Sequence, residues 1–234
     1  APGRVRLRAA PSGTGDGIRM AAEAGAALTE LGAFYGHLLA AEAMTNGALW
    51  PYPIMDIVAV AGVMVDGHGN RFADESQGGV FLSNAVAKLD DPLSATVIMS
   101  REIWDQVGAS GIAPPNPLLL DHGGTLIEAP DLGSLAASIE VPADALQATL
   151  ADYNKAFAKD RLADLIPVRG EGRHEAYPLG TGPYCAIRVC AGVTTASWSG
   201  SSRAIRSLST SWRVPGASWA AADTTTSTSP RSAV

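Results

Sequence analysis

The stretch Gly62-Val63-Met64-Val65-Asp66-Gly67-His68-Gly69-Asn70-Arg71-Phe72-Ala73-Asp74-Glu75-Ser76 constrains the fold of this chain more than any other. An apolar run breaks at a cluster of Gly, Asp and Asn and resumes into a short acidic loop. Glycine supplies positive φ, and Asp and Asn side chains close local turns, so Asp66 to Asn70 predicts a tight turn. Val63 and Val65 alternate with Met64 as in a strand. The pattern predicts a hairpin that delivers Arg71, Asp74 and Glu75 to one place. Glu75 is then either a chemical group or the partner of an ion pair with Arg71 that fixes the loop.

The elements around the hairpin read as a mixture of helices and short strands. Gly13 to Leu28 predicts a helix capped by Thr14 or Asp16, with Ile18, Ala21, Ala22, Gly25 and Leu28 on one stripe, Gly32 as its C-cap, and small residues for close packing on a sheet. Ala1 to Pro11 announces neither strand nor helix. Phe81, Leu82, Ala85, Val86 and Leu89 repeat with helical spacing, and Asp90-Asp91-Pro92 stops that helix. Ala95 to Met99 is β-rich. A short helix over Arg101 to Val107 carries Trp104 into the core, and Gly111 to Asn116 is a Pro-rich loop. Asp131 caps a helix to Ile139. Pro142 to Phe157 is the clearest helix of the chain, with Leu146, Thr149, Leu150, Tyr153 and Phe157 on one face. Lys159 to Glu175 is a charged loop, and Tyr184 to Val189 is a strand.

Chemistry-bearing residues are sparse. His37 lies among apolar residues, as a core imidazole with a satisfied hydrogen bond or as a substrate contact. Trp50-Pro51-Tyr52-Pro53 is a rigid aromatic loop that suits a domain junction. The Asp121-His122-Gly123-Gly124 turn has no second ligand at metal spacing, so no metal site is expected. The apparent glycine-rich loop at Gly13 to Gly17 follows no apolar strand and lacks dinucleotide-binding spacing. Cys185 and Cys190, an odd number of positions apart, fall on opposite faces of a strand and are expected to stay unpaired. A net charge of −6 argues against nucleic-acid or membrane-surface partners. With no apolar run of membrane-spanning length, the chain reads as cytoplasmic.

Several of these segments together resemble one family. Gly62 to Glu75 resembles the G-hydrophobic-x-V-x-x-x-G-x-R-F-x-[DN]-E segment of the fumarate reductase/succinate dehydrogenase flavoproteins, the FAD-dependent oxidoreductase 2 group. Thr14, Gly15, Asp16, Gly17, Met20, Ala21, Gly25 and Ala26 fit a helix of the FAD domain of that group. Leu146 to Asn154 resembles its capping domain, with Tyr153 and Asn154 read as scaffold. Gly182, Pro183, Tyr184, Ala186, Gly192, Val193 and Thr195 fit its return from cap to FAD domain.

The resemblance implies an α+β substrate-capping domain flanked by remnants of an α/β FAD-binding domain. It divides the chain into a remnant of the FAD domain at 1–33, the cap at 34–175, the return at 176–195, and an aberrant tail at 196–234. It implies FAD as cofactor, a small organic substrate, and hydride transfer between flavin and a carbon–carbon bond. It implies Glu75 and His37 as catalytic residues, Arg71, Thr194 and Thr195 as substrate contacts, and Gly15 and Asp16 beside the cofactor. In fumarate reductases an Arg a few residues after the acid of this motif delivers a proton. The matching position here is Gly79, which points to the tricarballylate and ketosteroid dehydrogenase branches instead.

The pattern fails at the ends. No GxGxxG opens a dinucleotide-binding unit, and Ser197-Trp198 stands where the family has Gly-Gly. Residues after Ala196 hold three of the five Trp and no Lys, with no periodicity. The expectation is a partial chain whose tail is a frame-shifted or decayed reading, testable in the other two frames of the gene. The competing reading is a catalytically inactive cap fragment that binds no cofactor.

Overall fold

The computed structural model describes residues 4–8, 12–27, 32–170 and 174–195. The tail at 196–234 and Leu28 of the first helical stripe lie outside them. The described residues form one six-stranded sheet with helices packed on it. Strand β1 (Arg6–Leu7) is followed by helix α1 (Asp16–Glu23) and strand β2 (Tyr35–Ala40). Helix α2 (Asp56–Ala61) leads into β3 (Val63–Val65), then come α3 (Gly79–Ala87), β4 (Thr96–Ser100) and α4 (Arg101–Gln106). Helix α5 (Pro115–Asp121), β5 (Ile127–Ala129), α6 (Leu132–Ile139), α7 (Ala143–Ala158) and β6 (Tyr184–Thr195) complete the order.

Strand β6 is the spine. Its first half, Tyr184 to Arg188, pairs antiparallel with β4, and β5 also pairs with it there. Its second half, Val189 to Thr195, pairs antiparallel with β2 and parallel with β1. A single extended run of Tyr, Ile, Val, Cys and Ala with both faces covered suits this central position. Cys185 and Cys190 are both buried and unpaired, as their spacing predicted. Burial pushes the first thiol up to about 11 and the second to about 12, so neither is a ready nucleophile.

Beneath the sheet the core gathers Leu38, Leu39, Val58, Met64, Ile98, Trp104, Leu146, Leu150 and Tyr153, all essentially without exposure. Helix α7 buries Leu146, Leu150 and Tyr153 from the predicted face, while Thr149 donates to the Gly69 carbonyl at 2.7 Å. Tyr153 and Asn154 act as scaffold: the phenol donates to the Tyr177 carbonyl, and the Asn154 side-chain Oδ1 accepts from the Leu179 amide. Asp131 caps α6 through the Ser134 amide at 2.8 Å.

Four local expectations are corrected. Arg6 and Leu7, in a segment read as irregular, form a strand because β6 offers an open edge for parallel pairing. Helix α1 buries no residue and does not pack on the sheet. It stops at Ala24, where Gly25 at φ 88° takes the left-handed position, and the Ala26 and Gly25 amides return to Ala21 and Ala22. That Schellman closure, not Gly32, ends the helix. Finally, α5 opens at Pro115 inside the Pro-rich loop, but Asn116 at φ −100° and ψ 114° is still extended, and the regular turns follow from Pro117.

Candidate functional site

The predicted hairpin forms, with a tight turn. The Asp66 carboxylate accepts from the amides of His68 and Asn70, and Arg71 returns to Val65 through a single β-bridge. Beyond the turn the chain brings Arg71, Asp74 and Glu75 together. Glu75 has no solvent exposure. One of its oxygens accepts from the Met64 amide at 3.0 Å and Arg71 Nε at 3.1 Å; the other accepts from Arg71 Nη2 at 2.6 Å. Arg169 Nη1 stands 3.4 Å from that second oxygen.

Arg169 is also almost fully buried, although its segment reads as a charged loop. Its guanidinium donates to the carbonyls of Val60, Gly62 and Glu175 and lies 5.9 Å over the Tyr153 ring. It thereby closes the C-terminal end of α2, whose carbonyls have no helical partners. Nothing in the composition of Lys159 to Glu175 distinguishes this Arg from its exposed neighbours. Of the two roles expected for Glu75, the ion pair with Arg71 has all its partners in place. Its carboxylate is unexposed, and both oxygens are engaged by these donors. The Arg71 side chain is likewise committed, to Glu75 and to the carbonyls of Ala73 and Pro167.

Asp74 is the electrostatic companion of this clamp. Burial works against its charge, but donors from Ser76, Gln77 and the Gly170 amide outweigh burial and hold its carboxyl below the usual range. An unfolded Asp titrates near pH 3.9. The folded value is lower, so its stabilisation is complete above about pH 4 and is lost as pH falls through the folded value. Asp74→Asn is expected to flatten the pH dependence of stability below about pH 4, measured by urea unfolding at several pH values. An unchanged acid slope would mean that Asp74 does not set it.

The second cluster lies at the other end of α2. Asp56 opens that helix, and its carboxylate receives His37 Nδ1 at 2.6 Å and the Leu38 amide at 2.8 Å. The pair is half-buried, with side-chain exposures of 17% and 18%. Gly79, the first residue of α3, has no side chain at this point. A Cβ there would fall 1.9 Å from the carboxylate carbon of Asp56. The Tyr35 ring meets the imidazole edge-on at 5.2 Å. Sequence reading singled out His37 but missed Asp56, whose only signal is an acid opening an apolar helix. Its pairing with a residue 19 positions earlier is a tertiary fact.

The remaining predicted residues are scattered. Thr194 accepts from Arg8 at 3.3 Å through its hydroxyl, and Thr195 pairs with Tyr35 in the β2–β6 ladder. Arg8 also donates to the Pro51 carbonyl and lies over the Tyr52 ring, while the Trp50 indole donates to the Leu7 carbonyl. The aromatic loop is thus a junction, tying β1 to the chain after β2. Gly15 caps α1 at φ 83°, and the Asp16 carboxylate accepts from Thr14 and pairs with Arg19. No group of His, Cys, Asp or Glu able to hold a metal occurs among the described residues. No helix among them is long and apolar enough to cross a membrane.

A family model described as "FAD binding domain" matches residues 6–197. The chain belongs to that family. It is 30% identical over 152 residues to the 4-oxocyclohexanecarboxylate 2-dehydrogenase of Sinomonas cyclohexanicum, which covers 56% of this chain and 25% of that protein. Its fold is similar to an open flavocytochrome c3 fumarate reductase, with a TM-score of 0.54 at 23% identity over 81% of this chain and 30% of that one. It is also similar to the 3-ketosteroid Δ1-dehydrogenase of Sterolibacterium denitrificans, with a TM-score of 0.58 at 20% identity over 82% and 37%. The chain spans only about a quarter to a third of the length of these relatives.

FAD is therefore the cofactor of the family, and the described residues test how much of its cradle is present. Among them no strand leads through a Gly-x-Gly-x-x-Gly turn into a helix, the arrangement that holds a pyrophosphate. The N-terminus of α1 carries the Asp16 charge, which opposes an anion there. These residues do not fit the phosphates of FAD. At α1, Asp16 offers an acceptor for hydroxyl or N–H groups instead.

Proposed function

We infer that the chain forms the substrate-capping region, with adjoining strands of the FAD domain, of a flavin-dependent oxidoreductase. It acts on a carbon–carbon bond of a small organic substrate. The observation that carries this reading is the His37–Asp56 pair. One imidazole nitrogen is held by a carboxylate, and Nε2 has no hydrogen-bond partner among the described residues. Such a group moves a proton to or from carbon. FAD, when bound, supplies the hydride chemistry.

The cap at 34–175 and the flanking segments at 1–33 and 176–195 are supported by β6, whose halves join two differently paired parts of the sheet. The relative that acts on 4-oxocyclohexanecarboxylate suggests a cyclic keto acid as the substrate class. His37 is the catalytic residue in this reading, Thr194 and Thr195 line the substrate side, and Asp16 contacts the cofactor. Glu75 and Arg71 hold the hairpin.

A second reading is an inactive cap segment that binds no cofactor; among the described residues no strand–glycine turn–helix unit holds a pyrophosphate. Titrating the purified chain with FAD separates the two. Quenched flavin fluorescence, a shifted visible spectrum and reduction by a cyclic keto acid are expected for the oxidoreductase. A chain that stays colourless after gel filtration with excess FAD would establish the inactive reading.

A further inference from the structure

We propose that Asp56 is the positioning residue that presents His37 Nε2 as a proton acceptor, and that position 79 is glycine because the Asp56 carboxylate needs its space. The inference rests on the reading of His37 as the proton-handling group. A carboxylate only accepts hydrogen bonds, and a neutral imidazole carries one N–H. The 2.6 Å contact therefore puts that proton on Nδ1 and leaves the lone pair on Nε2.

Three features hold this state. The second carboxylate oxygen takes the Leu38 amide, so the side chain of one β2 residue and the backbone of the next grip the same group. The Tyr35 ring stands at 84° to the imidazole and restricts its plane. A Cβ at Gly79 would lie 1.9 Å from both Cγ and Oδ2 of Asp56 and 2.5 Å from Oδ1. Real Cβ atoms do not approach so closely, and all three carboxylate atoms are in the way, so Asp56 must rotate away. Any side chain at 79 expels Asp56 from the imidazole. Helix α3 also directs its positive end towards this carboxylate.

Gly79→Ala thus disturbs the pair while touching neither partner chemically. The full chain has four histidines, so 15N-histidine labelling gives four imidazoles, and His37→Gln assigns the one of interest. Long-range 1H–15N spectra, recorded where the imidazoles are neutral, are expected to show His37 with its proton on Nδ1. That signature is expected to be lost in Gly79→Ala and in Asp56→Ala. A proton on Nε2 in the unmodified chain overturns the proposal, and so does an Nδ1–H signature that survives in a folded Gly79→Ala. If both variants unfold, the unmodified chain still decides. The spectra need no flavin, so a failed tautomer leaves the oxidoreductase reading standing, and failed flavin binding leaves the tautomer result intact.

Discussion

Glu75→Ala is expected to destabilise the chain by about 3–5 kcal/mol, the cost of leaving a buried charge uncompensated when its partner is removed. The substitution strips acceptors from Arg71, Arg169 and the Met64 amide at once. Arg71 cannot turn to solvent, because its other donors are fixed to Ala73 and Pro167. Arg169 is fixed in the same way to Val60 and Gly62. At roughly 2–4 °C per kcal/mol for a domain of this size, the melting temperature should fall by about 10 °C. Glu75→Gln keeps the shape and one acceptor, so its loss should be smaller. Thermal and urea unfolding of both variants are the measurements. A loss below about 1 kcal/mol for Glu75→Ala would show that water reaches the cluster and that the clamp is not what orders the hairpin.

The sequence offers Glu75 equally as a chemical group or as the partner of Arg71, and the expected loss follows from the second role. What was legible in the chain followed from local physics. Asp131 announced α6 because a side-chain carboxylate at an N-cap is a local bond. Leu146, Leu150 and Tyr153 announced α7 because their spacing is helical. Asp66 to Asn70 announced the turn because Gly, Asp and Asn have few other uses in such a run.

What was not legible depends on contacts distant in sequence. Arg169 is buried because α2 ends beneath it, and no feature of its own segment says so. Helix α1 has an apolar stripe but no surface among the described residues to bury it on. Asp56 becomes interesting only when β2 brings His37 to it and α3 brings a glycine. The glycine at 79 reads from the motif as a missing proton donor. In the fold it is the space that the Asp56 carboxylate fills beside His37.

Gly36→Ala should test whether β2 holds that pair, because a strand glycine in close backbone contact has no room for a methyl group. Its Cβ would stand 2.3 Å from the Gly192 carbonyl oxygen and 2.7 Å from the Phe34 ring. The first obstacle is backbone in the centre of β6, paired on both sides, so it cannot yield without tearing the ladder. Overpacking of this kind costs about 1–3 kcal/mol, and a backbone obstacle puts the expected loss near 3 kcal/mol. Gly47→Ala is the control: nothing lies within 4 Å of its Cβ, and its stability should change by less than about 0.5 kcal/mol. Displacing β2 must also move His37 and the Leu38 amide, both of which hold Asp56. The variant should therefore lose the Nδ1–H signature of His37 together with its stability. A Gly36→Ala chain that melts like the parent would show that β2 slides freely along β6, and the imidazole would then owe its position to Asp56 alone.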